Sequence, residues 1–368
     1  MPSHYQNDLF EELSRHHENF EVVYAHTHDD ARKKLGWSFE NSDSFRSKFI
    51  GQDLKIWQII PYVFKHRKAI HIVNGIWAEN LFFIVILLLN LFQSRFLIYS
   101  EAPNPAKNRS LAKKMIIRLL IIPISKVLIQ KAKGFLAVSE FAVAHFKQLG
   151  IKAERIYRFG YFLNITKQTK NINQTLCTSF IFVGQLTERK GIFILLKAIE
   201  KLTKTHQSFH LSIIGSGDLE QKVQEYLQVH KLQNFITLLG AIDPKKVSKY
   251  IAQSDLLILP SIFDGWGIVV NEALQNGIPA LVSDQCGVKE LVRNGQNGLI
   301  FEANNVTELT QKLRDFIELS PQEKSAMKQQ AEKTGDILEI DSVAQYLTDC
   351  ISHSLNPNHF KPSAPWLK

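Results

Sequence analysis

Ile258-Leu259-Pro260-Ser261-Ile262-Phe263-Asp264-Gly265-Trp266-Gly267-Ile268-Val269-Val270-Asn271-Glu272 runs from an apolar segment through a glycine-punctuated turn into a segment of helical character. That succession reads as strand, loop and helix start. A helix beginning near Gly267 leaves bare N–H groups at its first turn, which favour negative charge, and neighbouring glycines permit close backbone approach; both suit a diphosphate. Ser261, Gly265, Trp266, Gly267 and Ile268 are therefore candidate contacts to such a ligand. Glu272, eight positions after Asp264, falls on the second turn of the expected helix. A carboxylate accepts two hydrogen bonds side by side, the geometry that holds vicinal ribose hydroxyls, while Asp264 on the loop can reach a sugar hydroxyl. Taken singly, Asp264 is a turn residue before glycine and Glu272 a solvated helix residue; the combination points to a site.

Outward from this stretch, short apolar runs alternate with amphipathic ones, the pattern of a parallel sheet covered by helices. Strands are expected over 180–184, 210–215, 235–239, 256–260, 280–283 and 299–301, and helices over 192–204, 219–231, 245–253, 268–276 and 288–294. The N-terminal half repeats the logic less cleanly, with strands expected over 20–24, 54–59, 69–73, 96–100, 135–138 and 155–157. The polar segment 164–176 lacks apolar periodicity and reads as a linker. The organisation expected is an α/β domain over 1–165, a second over 176–335, and a C-terminal helix with irregular tail over 336–368. Two doubly wound parallel-sheet domains facing across a cleft are the expected architecture, with the ligand beyond the carboxyl ends of the strands.

Two further clusters sit at strand ends. Gly184-Gln185-Leu186-Thr187-Glu188-Arg189-Lys190-Gly191 places two cations at a helix start, where the helix dipole prefers acids. Arg189 or Lys190 there can neutralise charge developing on a diphosphate. Gly215-Ser216-Gly217-Asp218 resembles half of a dinucleotide fingerprint, but Glu220 occupies the place of the third glycine, so the NAD reading fails on spacing. No phosphate loop of the G-x-x-x-x-G-K-[ST] type, no H-E-x-x-H and no Cys/His metal spacing occurs.

Composition limits the rest. Length favours two domains, and 45% hydrophobic with 21% charged residues is ordinary for a folded protein. Residues 1–165 hold 23 Lys+Arg against 14 Asp+Glu, while 166–368 hold 21 against 21, so the whole net charge of +9 lies in the first half. Such a half suits phosphorylated substrate or an anionic membrane surface; nucleic acid lacks a supporting motif. Cys177, Cys286 and Cys350 are scattered and odd in number, which argues against a disulfide framework and for a reducing compartment. No secretory signal opens the chain, and the apolar run 81–92 is well short of the ~20 residues a spanning helix needs, so it reads as a buried helix. The stretch 113–129 mixes cations with apolar residues, as either an interfacial helix or a core helix with a basic edge does.

Taken in order and spacing, the clusters over 180–301 resemble the donor domain of the retaining family-4 glycosyltransferases of GT-B fold. The resemblance rests on Gly184–Gly191, on Gly215 and Gly217, on Asp264 and Glu272 with seven residues between them, and on the downstream Gly287-Val-Lys-Glu290 and Asn294-Gly-Gln-Asn-Gly segments. It implies two Rossmann-like domains and a nucleotide-sugar donor. Glu272 would bind the ribose, Asp264 the sugar, Lys190 the diphosphate, and the amides after Gly265 the phosphates. It also implies transfer with retention to a glycan or lipid-linked acceptor, in cell-surface polysaccharide synthesis, with no metal and no cofactor. Peripheral contact with the inner face of the cell membrane and an otherwise cytoplasmic location are expected. Three departures stand out: Asp264 where Glu is commoner, Gln185 where Arg is usual, and a chain that opens at the segment following the family's first strand. They keep open a non-catalytic sugar-nucleotide-binding relative and a sugar-nucleotide epimerase of similar fold. Over 1–165 the resemblance is faint, clearest at Asn74–Trp77, Ser100–Pro103 and Leu136–Glu140; His71, inside an apolar strand, reads as a packed residue rather than a catalytic one.

Overall fold

The computed structural model describes residues 4–25, 44–75, 80–103, 122–165, 167, 177–358 and 360–367. They form two compact units: the first gathers the described residues of 1–28, 41–161 and 340–368, the second those of 162–339. Residues 166 and 168–176 of the expected linker, the basic stretch 113–121 and Trp77 lie outside the described residues.

The second unit is one six-stranded parallel sheet of β7 (Thr178–Val183), β8 (Phe209–Ile214), β9 (Ile236–Gly240), β10 (Leu256–Leu259), β11 (Ala280–Ser283) and β12 (Gly298–Phe301), in the order β12-β11-β10-β7-β8-β9. This is the doubly wound arrangement whose connections reverse direction between its first and fourth strands, here β7 and β10. Every residue of β10 and β11 is buried, which explains why both read as continuous apolar runs instead of alternating ones. The covering helices present the stripes their sequences carry: Ile192–Leu202 buries Ile192, Leu195, Leu196, Ile199 and Leu202. Helix Pro244–Ala252 starts where Asp243 accepts the Lys245 N–H at 3.0 Å and proline fills the first position. The helix expected over 288–294 is a single 3-10 turn, Gly287–Leu291.

The first unit holds β1 (Glu21–Tyr24) paired in parallel with β2 (Arg46–Phe49), and separately a parallel sheet β3-β4-β5-β6, formed by Ile70–Asn74, Arg95–Glu101, Gly134–Val138 and Ile156–Phe159. The strand expected over 54–59 is absent: a 3-10 turn at Ile56–Gln58 leads into helix Ile59–Lys65. The Gln58 side chain accepts the Lys55 N–H at 2.8 Å, and Pro61 stands in the helix's first turn, where it lacks no needed donor. An apolar run without alternation is ambiguous between strand and helix, and local capping decides it here. The run expected as a buried helix forms helix Asn80–Leu91; it buries Ile86, Leu88 and Leu89 but leaves Ile84, Leu87 and Leu91 exposed.

The C-terminal segment packs within the first unit. Helix Ile340–Leu355 lies against helix His4–His16, Tyr346 donates to the Arg158 carbonyl at 2.9 Å, and the Tyr157 hydroxyl meets His353 Nδ1 at 2.7 Å. Beyond it Trp366 is buried against Phe159 and Tyr346, and Lys361 donates to the Ala153 and Ile156 carbonyls. The stretch that reads as an irregular tail is thus fixed by aromatic contacts that no local periodicity announces.

Candidate functional site

In an open α/β sheet, loops leaving adjacent strands at the reversal of strand order diverge and leave a crevice. The loops after β7 and β10 are the two that carry the clusters centred on Lys190 and Asp264. They are tied together: the Ile262 N–H donates to the Arg189 carbonyl at 2.8 Å, and the Arg189 guanidinium donates to the Phe263 carbonyl at 3.1 Å. Gly191 makes the approach possible, since it has φ +70° and a Cβ there would lie 2.0 Å from the Pro260 carbonyl oxygen.

At the centre Lys190 Nζ donates to Asp264 Oδ2 at 2.6 Å, and Arg189 stands 3.8 Å from the same oxygen. Burial alone would raise the Asp264 carboxyl, but the Lys190 ammonium, Arg189 and the Trp266 N–H outweigh it and hold the group below its ordinary value. Asp264 is consequently ionised at neutral pH. Its backbone is clamped by the turn after β11: Asp264 N–H donates to the Gln285 carbonyl at 3.0 Å, Gly287 N–H to the Asp264 carbonyl at 2.9 Å, and Val288 N–H to the Trp266 carbonyl at 2.9 Å.

Glu272 has the opposite environment. It lies on helix Val269–Gln275, all of whose residues are buried, and is itself 7% exposed. Among the described residues its carboxyl has no hydrogen-bond or ionic partner, and burial pushes it up to about 7. A carboxylate so placed carries a desolvation cost that a pair of incoming hydroxyl donors offsets. Close by in sequence, the amides of Gly265, Gly267, Ile268 and Val269 donate to no acceptor among the described residues. The buried Ser261 hydroxyl is also unpartnered, while its carbonyl accepts from Ser283 Oγ at 2.5 Å. Unmet donors at a loop–helix junction suit an anion with several oxygens. Among the described residues no group of three or more His, Cys, Asp or Glu side chains is arranged to hold a metal ion.

Several of the residues expected to contact the ligand also take part in the site's frame. The helix starts at Val269 and not at Gly267, because Gly267 has φ +106° and a Cβ there would lie 2.6 Å from Leu259 Cδ2. The Trp266 indole is buried and donates to Asn271 Oδ1 at 3.0 Å, so only its backbone faces Asp264. At Gly215 a Cβ would sit 1.9 Å from the Gly184 carbonyl oxygen, and at Gly217 2.6 Å from that of Leu186; the space both leave is filled by protein backbone. A Cβ at Gly184 would lie 3.7 Å from Lys190 Cδ, in ordinary contact with that stem, and Gln185 is half-buried on the same loop. Asn271, Ser283 and the Gln285–Val288 turn carried no site role in the sequence, where Gly287-Val288 entered only as part of the family likeness, because each acts through a main-chain or core contact. In the first unit His71 is bonded to the His66 carbonyl at 3.1 Å and burial lowers its pKa, as a packed residue requires. Asn74 at the end of β3 is exposed.

Residues 167–334 match the family Glycosyl transferases group 1. Among curated relatives, an uncharacterized glycosyltransferase, MJ1607, of Methanocaldococcus jannaschii is 31% identical over 32% of this chain and 30% of its own length. The putative colanic acid biosynthesis glycosyltransferase WcaL of Salmonella typhimurium is 24% identical over 51% of this chain and 48% of its own. The chain thus spans about a third to a half of the length of these relatives. Among solved structures, Anabaena Alr3699/HepE in complex with UDP superimposes with a TM-score of 0.75 at 14% identity, covering 96% of this chain and 97% of that one. At that identity the likeness establishes the architecture: the fold is GT-B, with Rossmann-like domains. Within it, the match to Glycosyl transferases group 1 lies over residues 167–334, whose described residues belong to the second unit.

Proposed function

We propose that this protein is a retaining glycosyltransferase that moves a sugar from a nucleotide-sugar donor to a glycan or lipid-linked acceptor in cell-surface polysaccharide synthesis. The observation that carries the reading is the buried Glu272 carboxylate, without a partner among the described residues and a few positions along the chain from unmet backbone amides and from Asp264 of the ionised Asp264–Lys190 pair. In this reading Glu272 accepts both ribose hydroxyls and the amides of Gly265, Gly267 and Ile268 receive the diphosphate. Lys190 has three donors, so it can keep Asp264 in place while presenting another N–H to the leaving phosphate oxygen, whose growing charge it stabilises. Asp264, ionised and fixed, accepts from a sugar hydroxyl and orients the anomeric carbon. No metal or cofactor is assigned a role. The names of WcaL, a colanic acid enzyme, and of HepE, crystallised with UDP, support a uridine diphosphate sugar and a polysaccharide product. The basic first half supports peripheral work at the inner membrane face.

The test is a panel of UDP-, GDP- and ADP-sugars assayed for nucleotide release with and without acceptor glycans, followed by the anomeric configuration of the product. Turnover with one nucleotide class and a retained configuration is expected. Nucleotide affinity with no turnover would make the protein a binding relative, and interconversion of donor sugars without acceptor would make it an epimerase.

A further inference from the structure

The segment Ile56–Lys65 carries apolar side chains on two faces. Ile59 and Val63, four apart, are each 4% exposed and enter the core of the first unit. Ile56, Trp57, Ile60 and Phe64 form an adjoining stripe turned to solvent and are 71%, 68%, 53% and 49% exposed. Isolated exposed apolar residues are ordinary on protein surfaces, but four large ones on one face, one of them tryptophan, form a patch. Phe64 continues the patch toward a second helix, with its ring 5.2 Å from that of Phe92 and Leu91 exposed beside it.

Charge identifies what the patch meets. Lys55, Lys65, Arg67 and Lys68 flank it and are all exposed. From Leu54 to Ala78 the sequence contains no Asp or Glu, and the Asp53 carboxylate that precedes it accepts the Phe49 N–H at 2.8 Å. A short helix with aromatic and aliphatic residues outward and cations at its edge is the pattern of an element lying in the headgroup layer of an anionic bilayer. No helix among the described residues is long and apolar enough to cross a membrane, so insertion to the interface is the mode that fits.

We propose that the Ile56–Lys65 segment, a 3-10 turn and the helix it leads into, is a membrane-docking element. Trp57, Ile60 and Phe64 enter the acyl boundary, while Lys55, Lys65, Arg67 and Lys68 engage anionic headgroups. The stretch 113–129 reads from sequence equally as an interfacial or a core helix; the exposed stripe offers 56–64 as a contact of its own. The proposal rests on the reading that the protein works at a membrane face and assigns the surface; it is independent of sugar transfer.

The experiment is sedimentation of the full chain with vesicles of phosphatidylcholine alone or with phosphatidylglycerol, at low and high salt. Variants are Trp57→Ser with Ile60→Ser, Lys65→Glu with Arg67→Glu, and Leu196→Ala as a core control that leaves the surface intact. The wild type is expected to bind the anionic vesicles only, with a blue shift in tryptophan emission. The first pair of substitutions should lower binding at least about tenfold at any salt, and the second should lower it mainly at low salt. Both double variants should keep the wild-type melting temperature and nucleotide affinity. If the wild type binds no vesicles, membrane work itself is overturned; if it binds and the Trp57/Ile60 variant binds equally, only the surface assignment falls. A wild type that self-associates through this face without binding vesicles, detected as loss of the dimer in the Trp57/Ile60 variant, would assign the stripe to a second copy and overturn the proposal.

Discussion

Both units are parallel sheets wrapped by helices, yet they use large apolar side chains differently. In the second unit six strands make one continuous sheet, and β10, which leads into the Asp264 loop, and β11, whose following turn clamps that loop, are buried throughout. In the first unit the described strands fall into a pair and a sheet of four, and the edge strand β3 leaves Ile70 and Ile72 exposed. The two tryptophans Trp266 and Trp57 condense the contrast: one is 1% exposed and hydrogen-bonded, the other lies open on a helix. The second unit spends its packing on holding a loop junction to fixed geometry, whereas the first keeps apolar surface outside.

The largest effect is expected at Gly215. Alanine there would place a carbon 1.9 Å from the Gly184 carbonyl, a backbone atom that cannot yield without parting the loops. Gly215→Ala should therefore destabilise the second unit by more than about 4 kcal/mol, seen as a lowered urea midpoint. Next come the tryptophans. Trp266→Ala should cost about 3–5 kcal/mol, while Trp57→Ser should stay within about 0.5 kcal/mol; comparable losses would erase the distinction between the units.

The fold of the second unit was legible because its signals are local: apolar runs bounded by glycine, Asp243-Pro244 before a helix, and Ile192–Leu202 at helical spacing. Most strand limits lie within about two residues of those expected. The first unit was less legible because Leu54–Ile59 has no alternation and its conformation is set by the Gln58 side chain. Residues 340–367 find their partners, Tyr157, Arg158 and Phe159, nearly two hundred positions away in the chain. At the site, the identity of Asp264, Lys190 and Glu272 was readable, but their electrostatics was not. Nothing in the spacing says that Lys190 and Asp264 pair at 2.6 Å, or that Glu272 is buried with no partner among the described residues.

That asymmetry between the two acids gives the smaller effects. Lys190→Ala leaves the Asp264 carboxylate buried with only Arg189 and the Trp266 N–H nearby, and should cost about 2–3 kcal/mol at pH 7. Asp264 is held below its unfolded value, so its contribution is full at neutral pH and is lost only as pH falls through the folded value, below about 4. The variant should lack that acid-side loss. Glu272 has the reverse sign. Its folded value near 7 exceeds the ordinary 4.5, so the native state holds the extra proton and wild-type stability should fall as pH rises from about 4.5 to 7, then level off. Glu272→Gln should flatten that slope and be more stable than wild type at pH 8, by on the order of 3 kcal/mol. A wild-type stability that rises across this window would show that the carboxyl is not buried as described.

The central claim, that the Asp264–Glu272 junction is a nucleotide site, is tested most directly by calorimetric titration of UDP at pH 8 into wild type and Glu272→Ala. Two charge-assisted bonds at roughly 1.5–3 kcal/mol each predict a loss of affinity of at least about a hundredfold with folding intact. Equal affinity in the two proteins, or binding of UDP to neither, would contradict the account.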